Sequence, residues 1–226
     1  MTCSLIRNSI KKVPADSILD RNQLPRELEK SLEPWLVRAE KASHRSDYFD
    51  AMIYLWVPFN AWLLYAAEDI GEELTDAFLV QAAGHDQILN DKFAQLKQAE
   101  PGFAQLVAEF SALWPVFQVK ALVRNGIEGW QPFDLEETRA DYIDKCLARG
   151  LENKYYSPKC YLEHHRKPPT DWAHTLSVIY RVRCNLFHGG KSFIHSGDSE
   201  FVRYAFLILW HVWGKDLLSV VLTSGI

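Results

Sequence analysis

The chain has few of the features that are typical of disulfide-stabilised proteins, membrane proteins or strongly basic nucleic-acid-binding proteins. Its 226 residues include four cysteines and no Cys-x-x-Cys pair, which argues against a disulfide framework and a zinc ribbon. The net charge of -4 argues against overall attraction to polyanions, so any contact with nucleic acid has to come from a local patch. No apolar run reaches the roughly 20 residues of a membrane-spanning helix, and the N-terminus lacks a secretory signal pattern. We therefore expect a cytoplasmic protein with reduced thiols and no membrane partner.

Apolar and aromatic residues, by contrast, are abundant. Hydrophobic residues make up 48% of the sequence and aromatic residues 13%, and eight residues are tryptophans. This composition indicates a packed core rather than a disordered chain, and the length is sufficient for one of useful size. We expect residues 1–24 to form an N-terminal arm and residues 25–226 to form a single helical domain.

The spacing of the apolar residues predicts the fold class. They recur at three- and four-residue steps, whereas no alternating strand pattern runs for more than a few residues. We predict an all-α bundle of about seven helices, whose limits are marked by capping residues, glycine and proline. The expected helices begin at Pro25, run from Ser46 to Glu68, from Thr75 to Pro101, from Phe103 to Val123 with a break at Pro115, from Asp134 to Gly150, from Thr170 to Gly189, and from Gly197 onwards.

Residues 151–170 form the most basic connection in the sequence. Four basic residues stand against two acidic ones, and tyrosines and histidines are interleaved with them. A basic segment with aromatic side chains can bind a single nucleic-acid strand by phosphate pairing and base stacking. An ordinary solvated connection explains the same composition, and both interpretations stay open.

The helix that ends at Gly189 and Gly190 carries an arginine in its apolar stripe. On an ideal helix Arg183 lies at the centre of that stripe. A guanidinium cannot lose its charge when it is buried, so it needs a carboxylate, a phosphate or an interface beside it. The apolar residues of the stripe are Leu176, Ile179, Tyr180, Leu186 and Phe187.

His188 stands at the predicted C-terminus of the same helix, where the negative end of the helix dipole favours its charged form. On an ideal helix Arg183 and His188 are about 140° apart, so they converge only through a distorted last turn or across two protomers. Arg181 shares a face with His188 and is a rival for the same role. Asn185, nearly opposite Leu176, is expected to give the helix a polar face beside the histidine.

Two segments of the sequence resemble the HEPN superfamily of helical domains. Residues 182–191, with Arg183 and His188 separated by four residues, are similar to its R-x(4-6)-H signature. Residues 54–61 are similar to the Trp-x-x-Phe-Asn-Ala segment of an upstream helix in many bacterial members. The likeness covers about residues 45–220 and is specific at these two motifs. Cys184 departs from the polar residue that often follows the arginine, which bears on how a substrate is oriented.

The resemblance implies a helical bundle that dimerises, so that two signature helices face a shared cleft, and a metal-independent endoribonuclease in the active members. Arg183 would bind the scissile phosphate, and His188 would act as general acid or base on the 2′-hydroxyl or the leaving oxygen. Asn185 and Asn60 would be substrate-binding residues that support the site. The implied partners are an RNA substrate, a second protomer, and an antitoxin or regulatory protein.

Two functional classes follow from these residues. The first is an RNA-cleaving toxin or defence effector, and the second is a catalytically inert module of the same fold that binds RNA, a nucleotide or another protein. No metal or cofactor is expected. His164 and His165 are adjacent, and His174 has no acidic or cysteine partner recognised at ligand spacing.

Overall fold

A computed structural model describes residues 25–67, 75–118, 122, 124–127, 136–150, 155–187 and 196–223. In these ranges the chain is an all-α bundle with one two-stranded ribbon, which confirms the predicted fold class. None of the described helices combines the length and apolarity needed to cross a membrane. The elements are α1 (Arg26–His44), α2 (Tyr48–Ala66), α3 (Asp76–Gly84), α4 (Gln87–Ala99), α5 (Pro101–Ala112), β1 (Val116–Phe117), α6 (Glu136–Ala148), β2 (Tyr156–Ser157), α7 (Trp172–Phe187), α8 (Ser196–Leu209), a π-helical turn (Trp210–Gly214) and α9 (Lys215–Thr223).

Local side-chain hydrogen bonds fix several helix starts. The Thr75 hydroxyl accepts from the Phe78 backbone amide, which confirms the predicted start of α3. The start of α2 was placed one residue too early: Asp47 is the cap, and Ser46 lies before it with a φ of 60°. The helix expected from Thr75 to Pro101 is two helices, because the Asp86 carboxylate accepts from the Leu89 amide and begins α4.

The helix expected from Phe103 to Val123 ends early, at Ala112. The chain then enters β1, which pairs antiparallel with β2 so that Val116 lies opposite Ser157 and Phe117 opposite Tyr156. Residues 1–24, Glu68, Val123, Asp134 and the pair Gly189–Gly190 lie outside the described ranges, so the predicted N-terminal arm and four of the predicted helix limits do too.

Helix α7 lies at the centre of the bundle. It contacts α2, α3, α4, α8 and both strands of the ribbon. One broad face of the helix, about 160° wide, carries no solvent exposure, and the residues on the rest of its circumference are partly buried. The residues of the fully buried face are Trp172, Thr175, Leu176, Val178, Ile179 and Val182.

Helix α3 runs antiparallel along α7. At one end, a Cβ on Gly84 would lie 3.3 Å from the Ala173 Cα, so the two backbones approach closely there. The Trp172 indole N–H donates to the Ala83 carbonyl oxygen at 2.9 Å beside that contact. At the other end, Asp76 reaches Arg183. The pairing of these helices therefore aligns the start of α3 with the end of α7.

A smaller apolar cluster lies beside the main core, between the ribbon and α6. It covers the outer side of the ribbon, while the inner side contacts α7. Gly150, with a φ of 62°, follows α6 as predicted for a helix stop. The cluster consists of Phe117, Leu122, Ile127, Tyr142, Ile143, Cys146 and Tyr156.

The last helix is continuous from α8 to α9 through the π-helical turn. Gly214 closes that turn against aromatic and aliphatic side chains. A Cβ at Gly214 would lie 2.6 Å from a ring carbon of Trp210 and 2.8 Å from a terminal methyl of Leu55. Real Cβ atoms do not make contacts this short, so glycine is required by packing at this position.

Replacement of Gly214 by alanine is expected to destabilise the protein by about 1–3 kcal/mol, because the added methyl overpacks the core. The free energy of unfolding in urea measures this. Gly102→Ala is the matched control, since Gly102 is helical and nothing lies within 4 Å of its added Cβ. The control should be as stable as the wild type or more stable. Equal stabilities for the two variants would contradict close packing at the π-helical turn.

Candidate functional site

The structure places one of the two principal site residues. Arg183 lies in the last turn and a half of α7, which ends at Phe187. His188 lies outside the described ranges, so its distance from Arg183 stays a prediction. Of the two supporting amides, Asn60 is on α2 and Asn185 is on α7.

The Arg183 guanidinium lies between two aromatic rings and one carboxylate. Its Cζ is 5.3 Å from the centre of the Trp56 ring and 4.6 Å from that of Phe187. Its Nη2 is 3.1 Å from Asp76 Oδ2. The side chain is 17% exposed, whereas Asp76 is 36% and Phe187 44% exposed. The charge is therefore held at the edge of the core, within reach of solvent, and not sealed against a core carboxylate.

The two sequence segments that resemble HEPN domains meet at this point. Trp56 contacts Arg183, and Tyr180 lies 6.0 Å from the same indole, one turn earlier on α7. Asn60 follows Trp56 by one helical turn and therefore lies on the same side of α2. Segments far apart in the sequence thus supply neighbouring polar groups.

Three buried polar atoms at this crossing have no hydrogen-bond partner among the described residues. They are Nε of Arg183, Nε1 of Trp56 and Oδ1 of Asn60. Most buried polar atoms in folded proteins are paired, so each unpaired one needs a partner such as a water molecule or a polar ligand. Both donors and an acceptor are present in this group.

The backbone also adds positive potential beside Arg183. Asp76 is the first residue of α3, so the N-terminal, positive end of that helix lies next to the guanidinium. The ion pair between Asp76 and Arg183 is partly exposed, and such pairs contribute only about 0–1 kcal/mol. The pairing with Asp76 therefore adds little to the stability of the fold.

The rival arginine, Arg181, points to a different part of the molecule. Its Nε lies 3.5 Å from the Ser157 hydroxyl on β2, and burial lowers the pKa of its guanidinium. Its neighbours Cys184 and Tyr180 oppose this lowering of the Arg181 pKa. Arg181 thus contacts the ribbon, and Arg183 contacts α2 and α3.

Asn185 is buried rather than solvent-facing, so the predicted polar face of the helix is wrong at this residue. It is only 3% exposed, and its side-chain amide donates to the Phe117 carbonyl oxygen at 2.6 Å. The side of α7 opposite Leu176 is covered by the ribbon instead of water. Asn185 joins α7 to β1, and its proposed contact with substrate would require this bond to change.

A polar cluster that the sequence did not predict lies at the other end of α7 and consists of Cys160, His164, Asp171 and His174. His174 does have an acidic and a cysteine partner: its Nδ1 lies 2.6 Å from Asp171 Oδ1 and its Nε2 lies 3.1 Å from Cys160 Sγ. The hydrogen bond to Asp171 and then that to Cys160 raise the pKa of His174 to about 10. His164 lies close enough for its ring nitrogen to join these atoms. The three-residue step from Asp171 to His174 and the four-residue step from Cys160 to His164 were the available signals.

Comparison with protein-family models, curated proteins and solved structures gives no match to this chain.

Substitution of Asn185 by alanine is expected to lower the free energy of unfolding by about 1–3 kcal/mol, because it removes a buried hydrogen bond to the ribbon. Ser177→Ala on the same helix is the control, since the Ser177 hydroxyl donates only to its own helix, at the His174 carbonyl oxygen. The control should stay within about 0.5 kcal/mol of wild type. Urea unfolding distinguishes the two, and an unchanged stability for the Asn185 variant would contradict a structural role.

Proposed function

We propose that this protein is a metal-independent endoribonuclease of the HEPN type, with Arg183 and His188 as its catalytic residues. The observation that carries the proposal is the position of Arg183: a half-buried guanidinium, flanked by two rings, beside unpaired polar atoms from the second resembling segment. The biological role that fits such an enzyme is that of a toxin or defence effector. An antitoxin or regulatory protein would then restrain it.

The chemistry requires only groups that the chain supplies. Arg183 binds the scissile phosphate, exchanging Asp76 for a phosphate oxygen, and stabilises charge that develops there. His188, acting as general base, takes the proton of the 2′-hydroxyl as its oxygen attacks phosphorus. The bond from phosphorus to the 5′-oxygen breaks, and that oxygen takes up a proton from solvent. The products are a 2′,3′-cyclic phosphate and a free 5′-hydroxyl.

The supporting roles divide between the two helices. Asn60 would accept a hydrogen bond from a ribose hydroxyl, because its Oδ1 has no partner among the described residues and its neighbour Trp56 contacts Arg183. Asn185 positions the end of α7 through the ribbon. A homodimer that faces two α7 ends toward each other would complete the site with a second protomer.

One observation favours the alternative, an inert module that binds RNA or a protein. Asp76 already occupies Nη2 of Arg183, as a structural ion pair would. In that case the same guanidinium and aromatic rings would hold a nucleotide by charge and stacking without cleaving it. RNA cleavage by the purified protein distinguishes the enzyme from this binding module.

Purified protein is expected to cleave tRNA or mixed RNA in the presence of EDTA. Arg183→Ala should lower the rate by about 100- to 1,000-fold, since an electrostatic stabiliser is lost. His188→Ala should lower it by about 100- to 10,000-fold, since the proton acceptor is lost. Gel analysis of the RNA, with assignment of the 3′ ends, measures both effects.

Arg181→Ala serves as the matched control for Arg183→Ala. It should retain cleavage, because Arg181 contacts the ribbon rather than the α2–α3 side. If neither the wild type nor any variant cleaves RNA, the proposal of an endoribonuclease is wrong. The alternative, a binding module, would then remain. Loss of cleavage in the Arg181 variant alone, with its stability preserved, would reassign the working arginine.

Mixing the two inactive variants tests whether the site is shared between protomers. If Arg183 of one protomer acts with His188 of its partner, each mixed dimer regains one intact site. Random exchange of subunits should then restore about a quarter of the wild-type activity. If the two groups act within one protomer through a distorted last turn, the mixture stays inactive. Sedimentation of the wild type checks that a dimer is present.

A further inference from the structure

The start of α7 and the turns before it bring together a thiol and two imidazoles. Cys160 Sγ lies 3.1 Å from His174 Nε2, and the ligand atoms of Cys160, His164 and His174 all lie within 4.8 Å of one another. Among the described residues this is the group of side chains that could hold a metal ion. It is separate from the proposed ribonuclease site, because His174 and Arg183 are about 13 Å apart along the helix axis.

The backbone holds these side chains together from two directions. The His164 backbone amide donates to the Cys160 carbonyl oxygen at 3.1 Å, which places the two residues one turn apart on the same side. Further turns follow, with positive φ at His165 and Arg166, and they fold this segment back toward α7. His174 enters from the first turn of α7. The two parts of the cluster are therefore positioned independently.

Asp171 completes the arrangement that metal-binding histidines use. Its Oδ1 accepts from the backbone amide of His174 and lies 2.6 Å from the Nδ1 of the same residue. This contact places a proton on Nδ1 and turns Nε2 toward Cys160. Histidine ligands commonly bind through one nitrogen while the other donates to a carboxylate in this way.

We propose that Cys160, His164 and His174 bind one zinc ion, with Asp171 orienting His174 and water in the fourth position. One sulfur and two nitrogens are a donor set that zinc prefers. Around a tetrahedral zinc ion such atoms lie about 3.3–3.6 Å apart, given bond lengths of about 2.3 Å to sulfur and 2.0 Å to nitrogen. Rotation of the exposed His164 ring closes the remaining distance.

Binding the ion exchanges protons for metal bonds. The Cys160 thiol and the His174 Nε2 release their protons to solvent, and His164 binds through an unprotonated nitrogen. No oxidant or reductant takes part. The ion would join the turns at 158–167 to α7, so its role at this site is to hold that segment in place. This inference does not rest on the proposed ribonuclease activity.

The 226-residue chain, treated with a chelator and then dialysed, provides the test. Zinc added alone should bind with a stoichiometry of one in calorimetry and should raise the melting temperature. Cobalt added alone should give the near-ultraviolet band of a thiolate bound to cobalt. Cys160→Ser should lose this band while keeping the circular dichroism spectrum of the metal-free wild type.

Three further variants identify the ligands. His164→Asn should weaken zinc binding, whereas His165→Asn, a change at the neighbouring exposed histidine, should leave it unaltered. Asn tolerates the positive φ at 165, so this control adds no backbone strain. Asp171→Asn keeps the helix cap but should weaken binding by about 10- to 100-fold.

Either of two results would overturn the zinc site. One is a wild-type protein that takes up no zinc. The other is a cobalt spectrum that is unchanged in Cys160→Ser. If zinc fails to bind while Cys160 is alkylated much faster than Cys184, the cluster is instead a thiol activated by His174 and Asp171. Failure of zinc binding would leave RNA cleavage in EDTA unaffected, so the two proposals fail separately.

Discussion

The burial of α7 is the constraint on which the rest of the structure depends. One broad face of its middle has no solvent exposure, because α3, α8 and the ribbon pack around it. Such a face cannot carry charge without a large desolvation cost. Charged groups on that face therefore lie near the two ends of the helix, where Arg183 and the pair Asp171 and His174 reach partially exposed positions.

The antiparallel packing of α3 against α7 supplies a carboxylate for the mostly buried charge of Arg183. Close contact at Gly84 and Ala173 fixes the alignment, so that Asp76 arrives opposite the guanidinium. The same alignment places the positive end of the α3 dipole at the negative end of the α7 dipole. One packing contact thus determines the balance of charge at the end of α7.

The sequence predicted those parts of the fold that depend on neighbouring residues. Thr75 caps α3 and Gly150 follows α6, because capping and positive φ are local properties. The break between α3 and α4 has one sequence signal, which is that Asp86 is a residue type that caps helices. The apolar pattern continues on both sides of Asp86, so the sequence predicted a single helix there. The ribbon was not predictable, since two-residue strands carry no periodic signal.

The site was predictable only where a single helix determines it. An ideal helix placed Arg183 correctly in an apolar stripe, yet it assigned Asn185 to solvent. The ribbon covers that side of α7, and its pairing joins residues far apart in the sequence. The cluster of Cys160 and His174 depends in the same way on turns whose folding back is set by contacts with α7. Sequence spacing could reveal the pair Asp171 and His174 and the pair Cys160 and His164. It could not reveal that the two pairs lie beside each other in the fold.

The ribbon connects the two ends of α7. Ser157 on β2 lies beside Arg181, Phe117 on β1 accepts from Asn185, and the turns that carry Cys160 follow directly from β2. An ion that fixes those turns would fix β2, and through its contacts the last turns of α7. Arg183, by contrast, is held from the other side of α7, by Trp56 and Asp76, so its position does not depend on the ion.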